Sequence, residues 1–227
     1  MAPFNLLLLL LLVHHPFIMS AKDCGNHGHC QRRKLYRRLF ATVLTFIIVV
    51  LIVILGVWLV LRPSKPKFYL KDTSIFQLNL TAGSNLLTTV MQVTLDSRNL
   101  NDRVGIYYDK LDAFAAYKGQ RITASTALPT GYQGHDDVVV WSPYLYGAAV
   151  AVAPYLAVSL IQDREAGLLL VYIKAEGRLR WKVGTWVSGH YHLQANCPAF
   201  LAIDNGKGSG SAPSFHLQQI SSCSVDV

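Results

Sequence analysis

Residues 39–61 read LFATVLTFIIVVLIVILGVWLVL, with no charged residue and only Thr42, Thr45 and Gly56 relieving the apolar run. About 20 apolar residues, each rising 1.5 Å, cross a hydrocarbon core of roughly 30 Å, and a helix satisfies its own backbone there. This stretch therefore reads as a transmembrane helix and places the rest of the chain on two sides of a bilayer. Arg32, Arg33, Lys34, Arg37 and Arg38 crowd its N-terminal end, whereas Arg62, Lys65 and Lys67 are spread along the other. The positive-inside bias puts the N-terminus in the cytosol and the C-terminal region outside. Of the formal charge of +8, residues 1–38 carry +5 (six Lys/Arg against one acid) and residues 62–227 carry +3 (fifteen against twelve). That surplus beside the span fits contact of Arg32, Arg33, Lys34, Arg37 and Arg38 with anionic inner-leaflet lipid, at about 1 kcal/mol per basic residue. It requires no nucleic acid partner.

The expected organisation is a cytosolic basic tail (1–38), a transmembrane helix (39–61), a spacer (62–67) and one outer domain (68–227). Within the tail, Phe4–Val13 is apolar but too short to span, and no Lys or Arg precedes it. A cleavable signal, an upstream extension and a mis-chosen start all stay open for residues 1–18. Cys24-Gly25-Asn26-His27-Gly28-His29-Cys30 offers four ligands of zinc type, but without the usual Cys-x(2–4)-Cys and His-x(3–5)-His spacings. Cys24 and Cys30 near a basic, membrane-facing segment also suit palmitoylation. A disordered, reduced tail carrying neither metal nor lipid is the third reading.

Two prolines stiffen Arg62-Pro63-Ser64-Lys65-Pro66-Lys67 and end the helix. Beyond it, Phe68–Leu80, Leu86–Leu95, Val104–Tyr117, Val138–Trp141, Leu168–Trp181 and His190–Asn196 are runs rich in β-branched and aromatic residues between turn formers. Apolar and polar residues largely alternate in Leu87–Leu95, as a strand with one buried face requires. The predicted fold is mainly β, an antiparallel β-sandwich of immunoglobulin or fibronectin type, with one short helix over Pro154–Glu165.

Several motifs carry a resemblance. Arg98-Asn99-Leu100-Asn101, Val104-Gly105-Ile106-Tyr107-Tyr108-Asp109, Tyr132-Gln133-Gly134-His135, Leu179-Arg180-Trp181-Lys182-Val183-Gly184 and Asn196-Cys197-Pro198 follow one another in order. In this series the chain resembles the plant harpin-induced-like, or non-race-specific disease resistance, membrane proteins with a late-embryogenesis-abundant type 2 domain, over roughly residues 19–227. The resemblance implies a single-pass plasma-membrane protein of plant defence and stress response, with plasmodesmata as a further location. It implies a non-enzymatic interaction module whose protein partners belong to plant immune signalling, and no cofactor. The alternative is a lipid-binding or membrane-contact protein, which a continuous apolar groove would favour. Leu100 stands where the family commonly has Pro, so a looser turn is expected there.

Cys197 and Cys223, on the oxidising side, match the family's pattern for a disulfide, with two buried thiols as the alternative. Asn79-Leu80-Thr81 occurs once as a glycosylation acceptor. No Gly-x-Ser-x-Gly, His-Glu-x-x-His or phosphate-loop order appears, Gly206–Ser211 included. His135-Asp136-Asp137 reads as a polar turn before a metal site, and His190 and His192 as surface histidines before a strand-borne metal pair. Tyr107-Tyr108-Asp109 reads as one buried tyrosine with its hydroxyl satisfied beside one exposed ring.

Overall fold

The computed structural model describes residues 27–81, 85–204 and 214–227. The expectations for residues 1–18, Cys24 and the Gly206–Ser211 loop fall outside these. The chain forms two units, divided between Trp58 and Leu59.

Helix α1 spans His27–Leu61, most of it in the first unit and its last three residues past the division. Its apolar stretch, Leu35–Leu59, is long enough to cross a membrane, and none of it is buried by protein. The two polar interruptions are satisfied within the helix: Thr42 Oγ1 donates to Leu39 O at 2.9 Å and Thr45 Oγ1 to Ala41 O at 2.8 Å. Neither hydroxyl then confronts lipid unpaired. The sequence placed the helix start at Leu39, yet it begins at His27 and carries the basic positions 32–38. Arg, Lys, Gln and Leu are good helix formers, and extending an existing helix needs no new nucleus. Hydropathy marks where lipid contact begins, not where the helix does.

In the second unit the strands follow in chain order as β1 (Lys67–Thr81), β2 (Leu86–Arg98), β3 (Val104–Tyr117), β4 (Gln120–Arg121), β5 (Thr126–Ala127), β6 (Gly131–Gln133), β7 (Val138–Trp141) and β8 (Tyr144–Ala151). Helix α2 (Pro154–Glu165) precedes β9 (Leu168–Val183), β10 (Trp186–Val187), β11 (Tyr191–Asp204), β12 (Ser214–Leu217), β13 (Ser221–Ser222) and β14 (Ser224–Asp226). All pairings are antiparallel, in the order β4-β3-β9-β11-β12-β1-β2-β7, with β5 and β6 also on β3 and β8 on β2. The sandwich is thus one sheet curled over on itself.

Its two halves meet through aromatic side chains. Phe68 of β1 stacks on Trp141 of β7 at 6.2 Å, and Tyr108 of β3 meets both edge-on, at 6.5 and 5.5 Å. Leu70, Leu95, Ile106 and Ile173 fill the space between, each fully buried. Alternation explains the long strands: in β9, Leu169, Val171, Ile173 and Ala175 are buried while their neighbours are not. Helix α2 lays Leu156, Ala157 and Leu160 on this core, and Tyr117 Oη donates to its Asp163 at 2.6 Å.

Candidate functional site

Strands β3 and β9 carry the two longest motifs, and their register decides what each residue does. Ile106, Tyr108, Leu179 and Trp181 point inward and are buried. On the outer face Tyr107 lies opposite Arg180 and Gly105 opposite Lys182, while β6 brings Tyr132 opposite Tyr107. Asp109 is the extra residue of a bulge between Tyr108 and Lys110, and such a residue can be re-aimed. Its carboxylate accepts two bonds from Arg180, Nε to Oδ2 at 2.7 Å and Nη2 to Oδ1 at 2.5 Å. His190 Nε2 lies 3.4 Å from the same carboxylate. The Arg180 hydrogen bonds hold Asp109 below the usual carboxylate range, against a smaller opposing effect of burial.

Beside this pair, the rings of Tyr107 and Tyr132 stand 4.7 Å apart. Lys182 Nζ donates to Tyr107 Oη at 3.2 Å and lies 4.9 Å from the Tyr132 centroid. Two aromatic faces within reach of one ammonium hold it in place. Tyr132 lies so close over Gly105 that any side chain there would collide with its ring. Next to the rings a cleft of about 440 Å³ is lined by Arg103, Tyr132, His135 and Lys182, with Asp102 as its acidic member.

The inward residues build a buried polar joint. Tyr108 Oη is 2.8 Å from Ser97 Oγ and donates to Gln133 Oε1 at 3.0 Å; burial pushes its phenol well above the usual range. Gln133 Nε2 donates to Ser97 O (2.7 Å) and Asp137 O (2.9 Å). Asn99 Nδ2 donates to Val104 O (2.7 Å) and Gly134 O (2.8 Å). Asn101 Nδ2 donates to Ser64 O at 2.8 Å, and Asn101 Oδ1 accepts from Ser64 N at 2.7 Å. The side-chain amide of Asn101 therefore pairs with the spacer as a neighbouring strand would.

This corrects the expectation of a loose turn at Leu100. Asn99 Oδ1 accepts from both Asn101 N (3.1 Å) and Asn101 Nδ2 (2.8 Å), so side chains fix the turn without a proline. His135-Asp136-Asp137 is a turn: Asp137 Oδ1 accepts from Val138 N at 2.8 Å, and Asp136 has φ 54°. His190 precedes β11 and faces Asp109, so it does not form a pair with His192 within the strand. Among the described residues no three His, Cys, Asp or Glu side chains converge as a metal site.

Cys197 and Cys223 are joined by a disulfide. Asn79 is exposed on β1, opposite Thr88 of β2. Arg32, Arg37 and Arg38 are exposed on α1, while the side chains of Cys30, Arg33 and Lys34 lie outside the described structure. The sequence left Tyr132, Arg103 and Lys182 without a role. One available signal was opposite charge at alternate positions, Asp109 on one strand and Arg180 on another, which places both on outer faces.

The late embryogenesis abundant protein family LEA_2 matches residues 94–197, the span of these motifs. NDR1/HIN1-like protein 1 of Arabidopsis thaliana is 46% identical over 210 residues, covering 91% of this chain and 100% of that protein. NDR1/HIN1-like protein 12 of the same plant is 44% identical over 92% of this chain and 100% of its own. NDR1/HIN1-like protein 26 is 41% identical over 82% and 88%. A likeness that runs through nearly the whole of both chains shows that this chain belongs to the NDR1/HIN1-like family, with a late embryogenesis abundant type 2 domain.

Proposed function

We propose that the protein is a single-pass plasma-membrane component of plant defence and stress response, plasmodesmal membrane included. Its N-terminus is cytosolic, its β domain is outside, and it acts by binding rather than by turnover. The observation that carries this reading is the outer face of β3, β6 and β9, where motif residues converge on an aromatic and cationic surface rather than on a nucleophile and base. Asp109 is held in a bidentate pair with Arg180, which occupies both oxygens and leaves it a poor general base. Tyr107 and Tyr132 suit protein partners in immune signalling, since tyrosine supplies packing area with a polar tip, and Lys182 holds the two rings together at their rim.

Acyl-chain binding has less support. The apolar cleft between Leu78, Leu80, Leu87 and Leu160 holds about 10 Å³, room for roughly one water rather than a lipid tail. Proximity labelling in plants, with the labelling enzyme fused on either side of the membrane, tests the reading. Outer-side capture of immune receptors, reduced by Tyr107→Ala and Lys182→Ala at unchanged protein level, is expected. Capture dominated by lipid-transfer proteins, or unmoved by both substitutions, would overturn it.

A further inference from the structure

The 440 Å³ cleft beside Tyr132 shares Asp102 and Arg103 with a second cleft of about 300 Å³, which Arg62, Ser64 and Asn101 also line. The two adjoining clefts, taken together as one basic depression, are lined by Arg62, Arg103, Lys182 and His135, with Asp102 the single acid among their lining residues. The position of this depression along the chain is unusual. Asn101 grips the backbone of Ser64 on both its polar groups, and Ser64 follows the end of α1 at Leu61 by three residues. Three residues reach at most about 10 Å. The covalent chain therefore keeps the Ser64 end of this depression within about 10 Å of the end of α1, beside the layer where lipid headgroups lie once α1 spans a bilayer. Arg, Lys and Tyr are the residues that partition to that layer.

We infer that this depression binds the phosphate groups of anionic membrane lipid headgroups on the domain's own side, and that it docks the domain's spacer end onto the bilayer. Arg103 supplies a forked donor for phosphate oxygens. Lys182, already held by Tyr107, supplies a fixed charge, and the exposed Tyr132 ring supplies an amphipathic face. Contact with phosphate is a surface attachment and needs no cavity for a tail. The inference rests on α1 as a membrane anchor; Lys182 and Tyr132 also belong to the proposed partner surface, so headgroups and a protein partner would compete for that edge.

The test uses the full chain in nanodiscs, which leave both membrane faces accessible whichever way the protein inserts in a cell. Hydrogen exchange of residues 102–105 and 132–135 is compared in phosphatidylcholine discs with and without phosphatidylglycerol. Exchange is expected to slow in the anionic discs, and Arg103→Gln or Lys182→Gln is expected to reduce that protection about fivefold each. Unchanged exchange in β2 and β11 shows that the variants remain folded. Equal exchange in the two discs, or full protection in both variants, overturns the inference. Equal protection by free inorganic phosphate over phosphatidylcholine discs would make this a soluble-anion site and would overturn the lipid assignment. An inverted topology in protoplasts would overturn the proposed function while leaving this outcome intact.

Discussion

Asp109 receives two bonds from Arg180 and faces His190, so its folded pKa is depressed below its unfolded value. A depressed carboxylate contributes stability that is complete above the unfolded value, about 3.9, and that drains away as pH falls through the lower folded value. Asp109→Asn is expected to lower stability by about 1 kcal/mol near pH 7, a figure kept small because both partners are partly exposed. The gap from wild type should narrow as pH falls below the unfolded value and on through the lower folded one, as urea midpoints across that range would show. A gap unchanged by pH would mean that packing rather than charge is lost. The alternation that sends Tyr107 and Asp109 outward is readable in the sequence, but the role of Gly105 is not. Its demand for no side chain comes from Tyr132, a residue on another strand. Gly177 repeats the lesson: a side chain there would collide with the backbone of Lys110 across the β3–β9 pair. A motif glycine announces a close approach without naming what approaches.

The elements separate by how local their causes are. Strands β1, β2, β3, β7 and β9 and helix α2 were legible because alternation, Pro154 and Gly167 are encoded within each segment. Strand β8, Tyr-Leu-Tyr-Gly-Ala-Ala-Val-Ala, was not: alanine and glycine are weak strand formers, and it exists by pairing along β2. Strands β12, β13 and β14 are two to four residues each, too short to display a period, and are held by partners far away in sequence. The spacer clamp was also invisible, since nothing in Asn-Leu-Asn specifies that its last side chain turns back to Ser64. Asn101→Ala is expected to raise exchange at the Ser64 amide at least tenfold and to cost about 1–3 kcal/mol, because the Ser64 groups lose their partner. Exchange at Ser64 as slow as in wild type would sink that role for the clamp. The Cys197–Cys223 bond closes a separation of 26 residues. Cys197→Ser is expected to cost about 3 kcal/mol on the loop-entropy argument. The β13–β14 segment should exchange first in that variant, while β3 and β9 keep their protection.

For the whole molecule, the sequence reads the anchor, the sandwich and the outer compartment from separate signals, and one experiment joins them. If the domain is outside, protease added to intact protoplasts should trim it and spare an N-terminal tag. Asn79 is exposed on β1 between the partly buried Leu78 and Leu80, so in an outer domain its amide would be open to the glycosylation machinery. Asn79→Gln is expected to remove one glycan-sized step on a gel. Loss of the N-terminal tag, together with an unaltered gel position, would place the domain in the cytosol. The two ends of the domain also meet: Lys65 pairs with Asp226 at 3.1 Å, and Tyr69 of β1 lies opposite Ser222. A tug on the domain, as when a swelling cell presses its membrane against whatever the domain holds, must pass to the anchor through this one spacer. The load falls first on the Asn101 clamp and the Lys65–Asp226 pair, and then on β1, which is gripped along its length by β2 on one side and by β12 and β13 on the other. Pulled along its axis, such a strand would resist in shear, with many hydrogen bonds strained at once rather than unzipped in turn.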